Sequence, residues 1–384
     1  MAVLAAHPKT CLVDRLPDPS SYKKVKLIAL GKAASRSAEI IEKQWPGVKL
    51  SGIAVTPHKG KVICDKIDVL ETSHPYPNHA SVEAGHRVYH VAQSADEDDL
   101  VLILLSGGAS SSVALPLNGI DITEKQQITK SLMLKGATIN ELNVVRKHLS
   151  LIKGGQLAVA ASNAKQIITL AISDVIDDDP SVIGSGLTVS DPSTIEDAKA
   201  IIEKYGILYH GQFSETVDNS HPVFSKCRYE IVANARSALD SAADFARQLG
   251  LNPQILNYNT VGDAEINGKA QARFITRMYT RRSRQPKLLM FGGEYTSKVS
   301  SNGLTGNGQG GPNQHFLLSL FNELPDDVNI YALSADTDGQ DGSGGAAGAW
   351  FTPSCKARVK ELGLNPKYYL ANSNSFGFFQ KLGN

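Results

Sequence analysis

Three features of the chain predict a parallel α/β fold: short unbroken apolar runs, helical patterns between them, and glycine- or serine-rich turns where the runs end. Val25–Leu30 leads into Gly31-Lys32-Ala33-Ala34. Residues 101–105 lead into Ser106-Gly107-Gly108, and residues 167–172 into Ser173-Asp174. Continuous runs this short fit strands covered on both faces, because a strand with one wet face would alternate. Helical patterns follow Gly31 through Ile41 and cover residues 80–94 and 124–135. Strand followed by helix, repeated, is the pattern of a parallel sheet. In such sheets ligands bind beyond the carboxyl ends of the strands, where Lys32, Ser106, Gly107, Gly108 and Asp174 all fall.

At 384 residues the chain exceeds one ordinary core, so two domains are expected. Residues 205–226 read as loop, broken by Asn219, Ser220, His221 and Pro222. A helical pattern over 233–249 then opens the second half. The boundary is placed near residue 228, giving domains 1–228 and 229–384. Residues 288–291 end in Gly292-Gly293-Glu294, and residues 330–333 in a turn with Asp336, Asp338 and Asp341. The strand-then-glycine plan is therefore expected to repeat.

Composition excludes several classes of partner. A formal net charge of +1 supplies no field to draw nucleic acid or a membrane surface. No apolar run reaches bilayer-spanning length, and the start of the chain lacks a cleavable signal pattern. Cys11, Cys64, Cys227 and Cys355 are scattered, without a Cys-x-x-Cys pair. They read as reduced thiols of a cytoplasmic protein. A homodimer is left open.

The residues that could carry chemistry sit in the turns. Lys32 opens a helix after a strand, where an ammonium and the helix N-terminus can both meet phosphate. A solvated lysine of the first turn is the bland alternative, and no Gly-x-x-x-x-Gly-Lys-Ser/Thr pattern is present. Ser106, Gly107, Gly108 and Ser110 could cradle an anion or simply form an N-capped turn. Arg146 and Lys153, with Asn143 and Lys147, form a basic set before Gly154-Gly155, either an anion site or a solvated face. Asp174 ends a strand, and Asp177, Asp178 and Asp179 follow in a loop. Asp174 and Asp178 are the candidate Mg²⁺ ligands, and Asp174 could also accept a hydroxyl proton. Gly306-x-Gly308-x-x-Gly311 matches the dinucleotide fingerprint without a convincing strand before it. Gly310, Gly311 and Asn313 are read instead as a glycine loop near phosphate, with Pro312 starting a helix.

Taken in order, these motifs resemble the glycerate 2-kinase family with a MOFRL C-terminal domain, some members of which carry the label hydroxypyruvate reductase. The match covers nearly the whole chain. It rests on Gly31-Lys32-Ala33, His74-Pro75-x-Pro77, Ser106-Gly107-Gly108-Ala109-Ser110, Asn143-x-Val145-Arg146-Lys147-His148-Leu149-Ser150-x-x-Lys153-Gly154-Gly155, Ser173-Asp174-Val175, Gly292-Gly293-Glu294 and Asp338-Gly339-x-Asp341-Gly342. The resemblance implies ATP- and Mg²⁺-dependent phosphorylation of D-glycerate at its 2-hydroxyl. It implies two α/β domains, the first a Rossmann-like parallel sheet layered by helices and the second a MOFRL-type domain, with the active site in the cleft between them. Lys32 and Asp174 match the family positions taken as catalytic. The family's Gly-Gly-Arg-Asn-Gln-Glu reads here Gly310-Gly311-Pro312-Asn313-Gln314-His315, so no catalytic arginine carries over. Asn78 and Gly345 stand for common aspartates and Leu187 for a common proline, and the family's last segment is absent after Asn384.

The function expected is a kinase for a small hydroxy acid, glycerate above all, with ATP and Mg²⁺. An NAD(P)H-dependent hydroxypyruvate reductase and a catalytically weak nucleotide or metabolite sensor are the alternatives.

Overall fold

The computed structural model describes residues 1–58, 60–279, 286–297 and 308–384. By packing, the chain divides into two units. One is Leu4–Asn234, and the other is Ala235–Asn384 together with Met1–Val3.

The first unit is built on one all-parallel sheet. Its strands are β1 (Val25–Leu30), β2 (Leu50–Thr56), β3 (Ile67–Glu71), β4 (Leu100–Leu105), β5 (Gln166–Ile172) and β6 (Cys227–Ala233). Their order across the sheet is β3-β2-β1-β4-β5-β6. Two cores flank it, and alternate residues of each strand enter opposite ones. Ile28, Leu30, Ile53, Val101 and Ile103 pack on one face. Leu27, Ala29, Leu50, Leu102 and Leu104 pack on the other. Both faces being dry is why the central strands read as unbroken apolar runs. The helices Ala34–Gln44 and His79–Gln93 bear out the segments expected there, as does Ile122–Leu134. Asn78 accepts from the Ser81 amide at 3.2 Å and caps the helix His79–Gln93, so it does the capping that an aspartate would.

Three strands of this sheet were not anticipated. In β2, Ser51 and Gly52 interrupt the apolar pattern. The edge strands β3 and β6 carry Asp68, Arg228 and Glu230 and are only half buried. β6 pairs with β5, so the division between units falls after it.

The second unit contains β7 (Asn252–Thr260), the helix Ala264–Tyr279 and β8 (Lys287–Gly293), with β7 and β8 parallel. β9 (Ala332–Ala335) and β10 (Gly348–Phe351) pair antiparallel, so the strand-then-glycine plan repeats only in part. Its core gathers around the helix Pro312–Glu323, where Phe321 meets Phe351 and Phe378 edge-on or tilted. The four cysteines are free thiols. No helix among the described residues is long and apolar enough to cross a membrane.

At Gly52 the strands approach so closely that a methyl group would lie 1.9 Å from the Leu27 carbonyl oxygen. Gly52→Ala is expected to destabilise the first unit by about 3 kcal/mol or more. Gly47→Ala, with nothing within 4 Å of the added carbon, is expected to change stability by less than about 1 kcal/mol. Urea unfolding of the two variants checks the contrast.

Candidate active site

The sheet order reverses between β1 and β4. From β1 the chain proceeds to β2 and β3 on one side, and from β4 to β5 and β6 on the other. The connections leave in opposite directions, so a crevice opens at the carboxyl ends of these two strands. Both glycine turns of interest lie there. The Lys32 amide donates to the Gly107 carbonyl at 2.8 Å. The Ala33 amide donates to Ser106 Oγ at 3.0 Å, and that hydroxyl donates to the Leu30 carbonyl. Gly31 holds φ +104°, and a methyl group there would lie 2.4 Å from the Ser106 carbonyl oxygen. Glycine is needed because the two turns touch backbone to backbone.

Gly107 and Gly108 form a wall with functional groups on it. A methyl group on Gly107 would lie 2.1 Å from Asp174 Oδ2. One on Gly108 would lie 2.9 Å from His74 Cδ2, 3.1 Å from His74 Nε2 and 3.6 Å from Lys32 Cγ. Asp174 thus lies against the first glycine, while His74 and the stem of Lys32 lie against the second. Residues 32, 74 and 174 come from three different turns, and all three side chains are exposed to solvent. Asp174 is aimed by a register slip between β5 and β6 at Ala171 and Ile172, followed by the Ser173 amide donating to the Ala233 carbonyl. The sequence reading gave His74 no role. Its signal was a position soon after a strand, but β3 mixes charge with apolar residues and does not read as one.

Ser110 extends the wall towards the basic set. Its hydroxyl lies 2.8 Å from Ser185 Oγ. Lys153 Nζ donates to the Ser110 carbonyl and to Ser110 Oγ, both at 2.7 Å. Arg146 stands in the last turn of the helix Ile139–His148. Lys125, on the helix Ile122–Leu134, donates to the Leu149 carbonyl at 2.7 Å. Burial pushes the Lys125 ammonium down to about 7, helped by the Arg146 charge. Burial, then Lys125 and Arg146, hold Lys153 well below the lysine range. Burial lowers Arg146 in the same direction. The remaining members of the basic motif are structural. Lys147 pairs with Asp191 at 3.1 Å in the interior. His148 bridges the Ser214 carbonyl and Ser193 Oγ, which donates to Asp191.

Asp178 lies apart from this arrangement in one respect: it accepts from Asn234 Nδ2 at 2.5 Å. Among the described residues no three His, Cys, Asp or Glu side chains form a ready metal cage. Asp174 and Asp178 could therefore hold Mg²⁺ only with phosphate oxygens and water completing the shell, which is its usual mode of binding.

Gly310, Gly311 and Asn313 lie in the second unit. Gly311 caps the helix Pro312–Glu323 with no side chain of its own. The Asp341 carboxylate fills that helix end, accepting from the amides of Asn313 and Gln314 at 3.0 and 2.8 Å and from both side-chain amides. Those donors are already engaged, which the sequence could not reveal because residues 313 and 341 meet only in the fold. Gly306, the first glycine of the dinucleotide match, lies outside the described residues.

Residues 1–219 match the family described as a domain of unknown function (DUF4147), and residues 287–384 match the MOFRL family. The chain is 40% identical to a protein of Agrobacterium vitis provisionally named a hydroxypyruvate reductase, over 100% of this chain and 87% of that protein. It is 34% identical to the D-glycerate 2-kinase of Thermotoga maritima, over 100% of this chain and 91% of the relative. The crystal structure of a glycerate kinase from Thermotoga maritima is similar with a TM-score of 0.85 at 33% identity, covering 100% of this chain and 92% of that one.

The depressed Lys125 has a consequence for stability. Between about pH 7 and the ordinary lysine value of 10.5, the unfolded chain keeps a proton that folded Lys125 has released. Stability therefore rises with pH across that window. Lys125→Met is expected to flatten the rise, read from urea midpoints at pH 7 and pH 10.

Proposed function

The chain belongs to the glycerate 2-kinase family that joins a DUF4147 region to a MOFRL region, and from that premise we propose that it transfers the γ-phosphoryl group of ATP, with Mg²⁺, to the 2-hydroxyl of D-glycerate. One observation carries this reading: Lys32, Asp174 and the Gly107-Gly108 turn share one rim at the switch point of the sheet. A phosphoryl group in flight needs positioning and positive charge more than covalent help.

The roles follow from position. The glycerate oxygen bonds to the γ-phosphorus as the bond to the β,γ-bridging oxygen breaks, and ADP departs. Lys32 sets its ammonium against the transferring group. Ser106, Gly107, Gly108 and Ser110 let the phosphates approach the backbone. Arg146 and Lys153 take the glycerate carboxylate. Asp174 orients the 2-hydroxyl and draws off its proton, or joins Asp178 in holding the cation. Mg²⁺ would be held by Asp174 and Asp178 and would supply positive charge against the phosphates. Gly310, Gly311 and Asn313 form a turn of the second unit that is braced by Asp341. Pro312 offers no charge, which leaves Lys32 as the cation proposed for catalysis. Four free thiols and the need for ATP fit a cytoplasmic setting.

In a coupled ADP-release assay the chain is expected to turn over D-glycerate, and Lys32→Ala and Asp174→Ala are each expected to lower kcat by on the order of 10³. Absence of ADP release with ATP binding intact would sink the proposal, and oxidation of NADH by hydroxypyruvate would favour a reductase instead. Gly107→Ala, which must displace Asp174, is expected to cost about 10²-fold in kcat. Its thermal midpoint is expected to change by only a few degrees, because Asp174 is exposed to solvent.

A further inference from the structure

We propose that Lys125 is the rear cation of a buried anion recess completed by Arg146 and Lys153, and that this recess makes the enzyme prefer acceptors bearing a carboxylate over neutral polyols. The inference deepens the kinase reading, but the recess itself does not depend on it. Lys125 is 5% exposed and Lys153 4%, and they arrive from different elements, with Arg146 from a third. Every partner they have is neutral. Lys125 donates to the Leu149 carbonyl, and Lys153 to the Ser110 carbonyl and hydroxyl. Among the described residues no carboxylate pairs with any of the three. Asp191, the buried acid of this region, is already held by Lys147 and Ser193.

Donors are left over as well as charge. An ammonium has three N–H groups and a guanidinium five. Lys125 uses one, Lys153 one for each of two oxygens, and Arg146 makes no hydrogen bond to a described residue. Burying like charges together without an acid is unfavourable, and an arriving anion relieves it. The recess is also correctly placed for a 2-hydroxy acid. Lys153 grips Ser110, two positions beyond Gly108, against which Lys32 and His74 both lie. A carboxylate at Lys153 would leave the hydroxyl on the neighbouring carbon facing that wall.

A purely structural role, two lysines tying down Leu149 and Ser110, predicts different behaviour. The other titratable groups near this helix pair are accounted for: Lys147 is paired, His148 sits between Ser193 and Ser214, and Glu141 pairs with Lys204 at the far helix end. Glu124 is exposed beside Lys125.

The test is calorimetric titration of the full chain with D-glycerate, in buffers of differing ionisation enthalpy, and separately with ATP. Wild type is expected to take up protons as glycerate binds. Lys125→Met is expected to weaken glycerate by about tenfold or more, to reduce the proton uptake and to leave ATP affinity within about twofold. Lys125→Arg restores glycerate binding. In turnover, the preference for glycerate over glycerol falls in Lys125→Met. Should the Met variant fail to fold, Lys125→Gln keeps a donor for Leu149 without the charge and is measured instead. Unchanged glycerate affinity and proton uptake in the neutral variant would overturn the proposal, as would a wild type that binds no small carboxylate. Carboxylate binding with proton uptake but no ADP release would uphold the recess while removing the kinase reading.

Discussion

The structure depends on one close approach. The turns after β1 and β4 touch through backbone alone, with the Lys32 amide on the Gly107 carbonyl and the Ala33 amide on Ser106 Oγ. No side chain fits at Gly31, Gly107 or Gly108 without striking that contact or the groups beside it. This constraint sets Asp174 against Gly107 and the stem of Lys32 against Gly108. It also explains why both turns sit at the strand pair where the sheet order reverses.

Around that contact the first unit separates two kinds of cation. Lys147 is fully matched by Asp191, and the Asp191–Ser193–His148–Ser214 chain ties its helix to two loops. Lys125 and Lys153 are buried and matched only by neutral oxygens, and Arg146 is half buried beside them. The same helix therefore carries a satisfied face that fixes position and an unsatisfied one that awaits charge. In a low-dielectric interior, an unmatched set is costly when empty and strongly attractive to an anion.

The second unit uses the opposite device at its glycine turn. Its helix N-terminus is closed by Asp341 from within the chain, so the amides best suited to an external phosphate are engaged. The result is a rigid turn instead of an open anion cradle. Gly311 has to be glycine there because a methyl group would lie 2.3 Å from Asp341 Oδ1.

By itself the sequence determined the central architecture. β1, β4 and β5 were legible because strands dry on both faces leave unbroken apolar runs. Lys32, Ser106, Gly107, Gly108 and Asp174 could be placed at their ends for the same reason. The edge strands β3 and β6 were not legible, because half-exposed strands mix charge with apolar residues. With β3 went the significance of His74. Only the tertiary structure decided which members of the basic motif are matched, since Asp191, Ser110 and Leu149 lie far along the chain from the groups they engage. Lys125 joins that set from a separate helix with no local motif at all. Strand identity is written in neighbouring residues, whereas charge balance is a property of distance through space.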